Sequence, residues 1–365
     1  MTQRRFRVLD TYRYIAAVGV VAFHFELNVQ PFLGHPTAIF EKMHLFVDFF
    51  FVLSGFVLMH TYGARMHKFA DMRLFLRKRL ARVYPLHALM TLVFMAISVL
   101  IAVLHLKIDR TTTFDLSLAP ANLLLLHAWG LASHMGLNYP SWSISAEFFV
   151  YLLFPAFLFV LLRFGPLATL MLAVAFATLM GAWRDLEGMR TWTQATNDFG
   201  NLRAVPSFMV GMALHVLLSK GREVKVPWWL AHAAAATLVA LMLAKAPSLL
   251  IVALMPGVIY LLAGAEMHQP ASRLAGPLGQ RLGEASYGTY LIHAAVMVFT
   301  VAVFKRLPHV TALDLAFGAG AVMVVTTGLA LLSFRYFENP LRIYFGRDPA
   351  SRLRKAPALQ VAKSI

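Results

Sequence analysis

The chain has 365 residues, of which 59% are hydrophobic and only 14% are charged, and its formal net charge is +16 at pH 7. Because a soluble globular domain has roughly 45–50% apolar and about 25% charged residues, this composition excludes an ordinary soluble fold. The chain contains no cysteine, which excludes disulfides, thiolate nucleophiles and cysteine-based metal sites.

Apolar stretches long enough to cross a hydrocarbon core of roughly 30 Å recur along the whole sequence. They predict an all-α fold, a polytopic transmembrane helix bundle with about ten crossings. The predicted helices cover approximately residues 9–28, 45–62, 83–105, 143–162, 166–183, 203–219, 228–244, 247–264, 286–304 and 312–334.

This arrangement places both termini on one side of the membrane. Most of the 33 lysines and arginines lie on that side, which the positive-inside rule identifies as the cytoplasm. The positive charge therefore indicates topology and not a nucleic-acid-binding surface. We predict an integral, multi-pass protein of a bacterial inner or plasma membrane with two cytoplasmic termini.

The segment 118–135 is apolar enough for a further crossing, but a crossing here would move the basic end of the chain to the outside. We therefore predict a re-entrant or outer-surface segment that helps to wall a site, because irregular backbone at membrane depth is tolerated only inside the protein or along a watery cavity. Residues 1–344 form the predicted membrane domain. Residues 345–365 form a basic cytoplasmic tail that lies on the anionic leaflet or is disordered.

Arg13 and His24 are eleven positions apart on the first predicted helix and share one face, since eleven residues make about three helical turns. Charged groups at membrane depth cost roughly 2.5–3.5 kcal/mol or more, so they usually face the bundle interior and have a function. A neutral imidazole can take a proton from an attacking hydroxyl near pH 7. The structural alternative is that Arg13 reaches the headgroups and His24 is a hydrogen-bonded interior histidine.

A cationic cluster, Arg77, Lys78, Arg79 and Arg82, precedes Tyr84 at the cytoplasmic mouth of the third predicted helix. One interpretation is a positive-inside anchor at the interface. The other is a binding site for a phosphorylated ligand, because guanidinium groups bind phosphate in a bidentate manner.

Other polar residues interrupt the apolar runs. Asp48 lies at the outer mouth of the second helix, where Gly55 is expected to permit close helix packing and Ser54 to bond a neighbouring helix. Glu147 either complements a helix N-terminus or pairs with Arg13, His24 or Arg203. Four further aromatic and histidine residues are expected to form interfacial or intramembrane hydrogen-bonding sets: Trp142, Tyr287, Tyr290 and His293. The scattered histidines His60, His67 and His87 predict no metal site.

Taken in chain order, these stretches resemble the acyltransferase-3 family of membrane-bound O-acyltransferases. The resemblance covers positions 8 to 342 and depends on Arg13 with His24, Asp48 through Gly55, Arg79 and Arg82 before Tyr84-Pro85, Trp142 with Glu147, and Tyr290 with His293. Members of this family usually carry Arg-Arg-x-x-Arg, whereas Lys78 replaces the first of these arginines here. A lysine keeps the charge but loses the bidentate fork.

The resemblance implies transfer of an acyl group, most often acetyl, from cytosolic acyl-CoA to a hydroxyl of a glycan or lipid-linked sugar on the far side. On this basis we assign catalytic roles to His24, Arg13 and Glu147, donor binding to Arg77, Lys78, Arg79 and Arg82, and substrate binding to Asp48, Trp142, Tyr290 and His293. No metal is expected, and a homo-oligomer is possible. The alternatives are a proton-coupled transporter or flippase and a non-catalytic subunit of a glycan-export assembly.

Overall fold

A computed structural model describes residues 5–66, 68–105, 111–220, 225–269 and 272–347 of the chain. Within these ranges the fold is helical and contains no strand. The helices are α1 (Arg7–Val29), α2 (Phe46–Tyr62), α3 (Phe69–Val103), α4 (Ala119–Leu123), α5 (Trp142–Leu186), α6 (Gly200–Lys220), α7 (Trp228–Leu243), α8 (Ser248–His268), α9 (Pro277–Phe304), α10 (Ala312–Ser333) and α11 (Asn339–Gly346).

Helix α5 is a helical hairpin. Its 45 residues would extend about 68 Å as one straight helix, which is twice the thickness of a hydrocarbon core. The backbone leaves helical geometry at Gly165 (φ 85°, ψ 174°), and Pro166 follows. Both ends of α5 meet the start of α6, because Trp142 lies against Gly200 and the Trp183 ring contacts Phe199 at 5.3 Å. The two arms therefore correspond to the two separate crossings predicted at 143–162 and 166–183.

The predicted helix bundle is confirmed. Eight helical segments in the described ranges are long and apolar enough to cross a membrane, with the α5 hairpin counted once, and α7 is a shorter apolar helix of 16 residues. The predicted helices differ from these mainly at α3 and α9, which begin at residues 69 and 277 instead of 83 and 286. Hydropathy marks where an apolar stretch begins, whereas a helix can continue through polar residues beyond it.

Two close helix contacts fix the centre of the bundle. At the crossing of α2 and α6, a Cβ atom on Gly55 would overlap the carbonyl of Phe208, and one on Gly211 would overlap the carbonyl of Val52. The packing role predicted for Gly55 is thus explained by direct backbone contact. Helix α9 meets α1 in the same way at Gly283, which leaves no room for a side chain beside the Asp10 backbone.

Helices α1 and α9 run side by side and parallel, since Gly283 lies against Asp10 and His293 lies against His24 further along both helices. The N-terminus of α1 is held by Glu266 of α8, whose carboxylate accepts hydrogen bonds from the backbone N–H groups of Arg7 (2.7 Å) and Val8 (3.0 Å). A carboxylate at this position also complements the helix dipole. Together these contacts set the height and rotation of α1, which carries Arg13 and His24.

The segment 118–135 does not form a crossing helix. After the single short helix α4 it continues as turns, and its backbone bonds to the starts of α5 and α6. The Ser145 hydroxyl donates to the Leu125 carbonyl (2.6 Å), and the Asn201 N–H donates to the Ala128 carbonyl (3.1 Å). At its far end Met135 lines a cavity that also contains His24. The predicted role of this segment in walling a site agrees with that position. Most of the predicted basic tail, from residue 348, lies outside the described residues.

Candidate active site

Three neighbouring cavities run through the bundle. The first, here called the vestibule, has a volume of about 610 Å³ and opens between the start of α1, the first half of α3 and α11. Its basic lining residues are Arg5, Arg13, Lys78, Arg79, Arg82, Arg342 and Arg347. Since Arg5 and Arg347 are near the two ends of the described chain, both ends lie at this side of the bundle.

The second cavity, the central chamber, is much smaller, at about 90 Å³. Its polar lining includes Ser54, Glu147, Tyr151 and Ser286, set among apolar side chains of α2. It shares five lining residues with the vestibule, namely Arg13, Leu53, Val57, Arg79 and Arg82. The two cavities are therefore separated only by these shared side chains.

The third cavity has a volume of about 360 Å³ and is called the His24 cavity. It shares Val47 and Tyr290 with the central chamber. Its lining combines aromatic rings with polar and charged side chains: Phe23, Tyr139, Trp142, His24, His44, Asn28, Glu41, Thr113, Gln194, Thr196, Arg190 and Arg203. The three cavities thus follow one another from the chain ends to His24.

The arginines between the vestibule and the central chamber have few anionic neighbours. No carboxylate of the described ranges lies within 4 Å of Arg79 or Arg82, and Asp10 is 4.0 Å from Arg13. Arg79 donates to the Tyr62 hydroxyl (3.1 Å), while its buried Nε finds no acceptor there. Partly buried guanidinium groups without carboxylates favour an anionic ligand, because unpaired charge away from bulk water is costly.

Glu147 belongs to the central chamber. Its Oε1 accepts hydrogen bonds from the Ser54 hydroxyl (2.8 Å) and from the Tyr151 hydroxyl (2.5 Å). The sequence suggested Arg13, His24 or Arg203 as an ionic partner of Glu147, but its partners here are these two hydroxyls, and Arg203 pairs with Asp48. Ser54 bonds across to α5, which agrees with its predicted helix-bonding role. Tyr151 was not identified from the sequence, although it lies one helical turn after Glu147 and could have been found by that spacing.

His24 is held by the parallel packing of α1 and α9. Its Nδ1 lies 3.0 Å from Nε2 of His293, which is completely buried. The two imidazole ring planes are close to parallel, with an angle of 22° between them, and the ring centres are 5.0 Å apart. The ring of Tyr139 stands edge-on to His24 at 4.9 Å. Because Nδ1 of His24 is engaged with His293, Nε2 is the nitrogen available for chemistry in the cavity.

Tyr290 stands where the central chamber meets the His24 cavity. Its hydroxyl donates to the Pro140 carbonyl (2.9 Å) and accepts from the Ser143 hydroxyl (2.9 Å). Both contacts are on the turn that begins α5, so the ring is held across the boundary between the two cavities.

Asp48 forms a buried ion pair with Arg203. Its carboxylate is completely buried and receives two hydrogen bonds from Arg203, at 3.1 Å from Nε and 2.6 Å from Nη2. The Arg203 guanidinium also donates to the Ala195 carbonyl (3.2 Å) and lies 5.2 Å from the Trp142 ring centre. The ion pair therefore fixes Trp142 against α6 in the wall of the His24 cavity, and Asp48 itself does not line it.

The structure brings most of the predicted site residues to this row of cavities, but it separates their positions. Lys78 lines only the vestibule, whereas Arg13, Arg79 and Arg82 line both the vestibule and the central chamber. Glu147 lines the central chamber, His24 and Trp142 line the His24 cavity, and Tyr290 lines both of these. Arg77 is elsewhere, because its Nε donates to the Phe345 carbonyl of α11 (2.6 Å) on the exposed surface. His293 lies behind His24 and lines none of the three cavities.

Comparison with known proteins identifies the family. The profile of a family described as an acyltransferase domain, acyltransferase-3, matches residues 6–335. The chain belongs to this acyltransferase family. This confirms the resemblance drawn from the sequence motifs, and with it the prediction of an O-acyltransferase enzyme in a membrane.

Three curated proteins are similar in sequence. Protein 2 in picA locus of Rhizobium radiobacter is 35% identical over 39% of this chain and 84% of its own length. Acyltransferase MdmB of Streptomyces mycarofaciens is 33% identical over 39% of this chain and 36% of its own length. Peptidoglycan O-acetyltransferase OatA of Listeria monocytogenes is 25% identical over 92% of this chain and 55% of its own length. The chain thus spans about a third and about half of the latter two proteins. No solved structure matches.

The described residues contain no group of three or more histidine, aspartate or glutamate side chains that could hold a metal ion. His60 bonds to His215 (3.1 Å) and His87 to the Asn122 carbonyl (2.8 Å), while His67 lies outside the described residues.

Proposed function

We propose that this acyltransferase moves an acyl group, acetyl in the first instance, from cytosolic acyl-CoA to a hydroxyl of a glycan or lipid-linked sugar on the other side of the membrane. The observation that carries the proposal is the row of cavities that leads from guanidinium groups without carboxylates to a hydrogen-bonded histidine. Each part of the donor and acceptor has a chemically suitable position along that row.

The vestibule suits the phosphorylated end of the donor. Coenzyme A carries a 3′-phosphate and a pyrophosphate, and guanidinium groups bind such oxygens with paired, charge-assisted hydrogen bonds. Arg79 and Arg82 meet this requirement, and Arg13 stands beside them. The sequence predicts that this basic end of the bundle faces the cytosol, where acyl-CoA is made.

The central chamber suits the slender pantetheine arm. Its volume of about 90 Å³ is too small for a nucleotide, so the thin arm is the part of the donor that we place here. The arm has two amide groups, and Glu147 with its hydroxyl partners supplies acceptors for their N–H groups in the chamber wall. Arg13 and His24 are about 16 Å apart along α1, at about 1.5 Å per residue. Arg13 is therefore far from the nitrogen that we propose to react, and Glu147 lies in the central chamber. We place both residues in donor binding.

The His24 cavity suits the reacting groups. Nε2 of His24 takes the proton of the acceptor hydroxyl, the hydroxyl oxygen bonds to the thioester carbonyl carbon, the carbon–sulfur bond breaks, and the departing thiolate takes the proton. A two-step route, in which Nε2 first forms an acyl-imidazole, uses the same nitrogen and the same geometry. Both routes need His24.

The acceptor proposal follows from the lining of this cavity. Sugar rings bind to aromatic faces flanked by hydrogen-bonding side chains, and Tyr139 and Trp142 are accompanied here by Asn28, Gln194 and Thr196. One relative that matches 92% of this chain is named a peptidoglycan O-acetyltransferase, which also supports a glycan acceptor.

A proton relay of the kind used by transporters receives less support. It would require a continuous path between Arg13, Glu147 and His24. In the described ranges Arg13 and Glu147 both line the central chamber, whereas His24 lines the next cavity, and no hydrogen-bond chain joins Glu147 to His24.

Transfer of label from acetyl-labelled CoA to glycan, measured in membranes that contain the protein, tests the proposal. We expect His24→Ala to reduce kcat at least about 100-fold, because general base catalysis contributes roughly 10²- to 10⁴-fold. Glu147→Gln, by contrast, should raise the KM for acetyl-CoA with kcat within about tenfold of the wild type. Unchanged transfer by His24→Ala would refute the catalytic role, and absence of transfer to any glycan by the wild-type protein would refute the acceptor class.

A further inference from the structure

The hydrogen bond between His24 and His293 determines which ring nitrogen of His24 carries a proton, and the proposed reaction depends on this. Nδ1 of His24 and Nε2 of His293 are 3.0 Å apart, so one hydrogen atom lies between them. Two arrangements are possible for two neutral rings. Either His24 donates, which leaves the lone pair of its Nε2 facing the cavity, or His293 donates, which leaves a proton on that Nε2.

The surroundings of His293 distinguish these arrangements. Its Nδ1 is buried and has no hydrogen-bond partner of good geometry in the described ranges. Backbone carbonyls one turn earlier on the same helix lie beside each ring, those of Thr289 and Tyr290 beside His293 and that of Val20 beside His24. Carbonyl oxygens only accept hydrogen bonds. Those of Thr289 and Tyr290 favour a proton on Nδ1 of His293, so that its Nε2 is the acceptor.

The neighbouring rings hold both imidazoles in position. The Tyr139 ring stands edge-on to His24 at 65° and to His293 at 82°, at centroid distances of 4.9 Å and 6.3 Å. His293 is completely buried, and its helix is fixed against α1 through Gly283. These contacts keep the rings of His24 and His293 side by side.

We infer that His293 is a positioning residue, which holds His24 in the tautomer that carries its proton on Nδ1 and presents a basic Nε2 to the His24 cavity. The effect of this tautomer on catalysis rests on the proposed function. When Nε2 takes the hydroxyl proton, His24 becomes an imidazolium whose Nδ1–H stays bonded to His293. The sequence-based assignment of His293 to substrate binding is replaced by this role.

The tautomer can be observed without activity. In protein labelled with ¹⁵N-histidine, nitrogen chemical shifts distinguish a protonated from an unprotonated ring nitrogen. We expect His24 to show protonated Nδ1 and unprotonated Nε2 in the wild type at neutral pH. In His293→Phe, which keeps a flat ring but removes the acceptor, we expect a mixture of the two tautomers. A wild-type His24 protonated on Nε2 would overturn the inference, whether or not acyl transfer is detected.

Kinetics provide the second measurement. We expect His293→Phe to lower kcat at least about tenfold, within the range of general base catalysis, while the KM for acetyl-CoA stays within about threefold. His293→Gln should restore most of kcat, because its amide oxygen can accept the Nδ1–H of His24. Equal kcat values in the Phe and Gln variants would also overturn the inference.

A matched control is available on α7. His232 makes a similar hydrogen bond to α1, with its Nδ1 at 2.8 Å from the Tyr12 hydroxyl, away from the three cavities. His232→Phe should leave kcat and its pH profile unchanged. In His293→Phe the apparent pKa of the kcat profile should move, although the charged and titratable groups around His24 are the same as in the wild type: Glu41, His44, Tyr139, Tyr290, Arg190 and Arg203.

Discussion

The arginines at the two ends of the cavity row have opposite environments. Arg203 and Arg184, near the His24 cavity, are completely buried, and their guanidinium groups are engaged by carboxylates and backbone carbonyls. Arg79 and Arg82, between the vestibule and the central chamber, have no carboxylate within 4 Å among the described residues. The first pair holds the fold together, whereas we propose that the second binds a ligand.

The presence or absence of a carboxylate partner predicts whether the loss of an arginine affects folding or ligand binding. Removing one partner of a complete buried pair leaves an uncompensated charge and should affect folding. Removing an arginine that lacks a carboxylate partner should affect ligand binding and leave the fold intact. The following experiments test this comparison.

The largest effect is expected for Asp48→Leu, which leaves the guanidinium of Arg203 buried without its carboxylate. Breaking such a pair costs about 3–5 kcal/mol. The thermal unfolding midpoint in detergent should fall sharply, together with the amount of protein recovered from membranes. Asp48→Leu combined with Arg203→Met should recover most of the midpoint, since replacing both charges is often nearly neutral. A single variant as stable as the wild type would contradict a structural role for the pair.

An intermediate effect is expected for Arg79→Gln and Arg82→Gln. A hydrogen bond to a charged group contributes about 1.5–3 kcal/mol, so each change should weaken acetyl-CoA binding by about 10- to 100-fold. Calorimetry with the purified protein measures the Kd, and the midpoint without ligand should not change. The wild-type affinity should also fall as salt is raised, because salt screens exposed charges.

The same helix provides the control for this prediction. Arg73 is exposed on α3 and lines none of the three cavities, so Arg73→Gln should leave the Kd unchanged. Arg77→Gln should behave like this control, since its guanidinium bonds to α11. A loss of affinity in Arg77→Gln equal to that of Arg82→Gln would restore Arg77 to the donor site and contradict the division of the cluster.

The smallest effect concerns Asp198, in the loop before α6, which bonds Arg184 at 2.5 Å. Burial alone would raise the pKa of Asp198, but the hydrogen bonds from Arg184 and from the Thr196 N–H outweigh it and hold the pKa below its ordinary value. The stabilisation is therefore complete above the unfolded pKa of about 3.9 and is lost as pH falls through the lower folded pKa. Asp198→Asn should lower the midpoint by a few degrees at pH 7, and this difference should shrink below about pH 4. A difference independent of pH would contradict the assignment.

The sequence by itself determined the membrane bundle, the positions of most of its apolar helices and the residues most costly to bury. The physical reason is that a hydrocarbon core fixes the length of a crossing helix, and a charge inside it must have a function or a partner. These are local properties of the chain. For this reason Arg13, His24, Glu147 and the cationic cluster stand out in the sequence as candidate site residues.

Only the tertiary structure decided which of these residues meet. His24 contacts His293 across 269 positions, and Arg203 contacts Asp48 across 155. No spacing rule within one helix encodes such pairs, since they depend on how α1 packs on α9 and how α2 crosses α6 through glycines. Packing therefore made Asp48 a structural anion, moved Glu147 to the central chamber and placed His293 behind His24, although all three had appeared as similar intramembrane polar residues in the sequence.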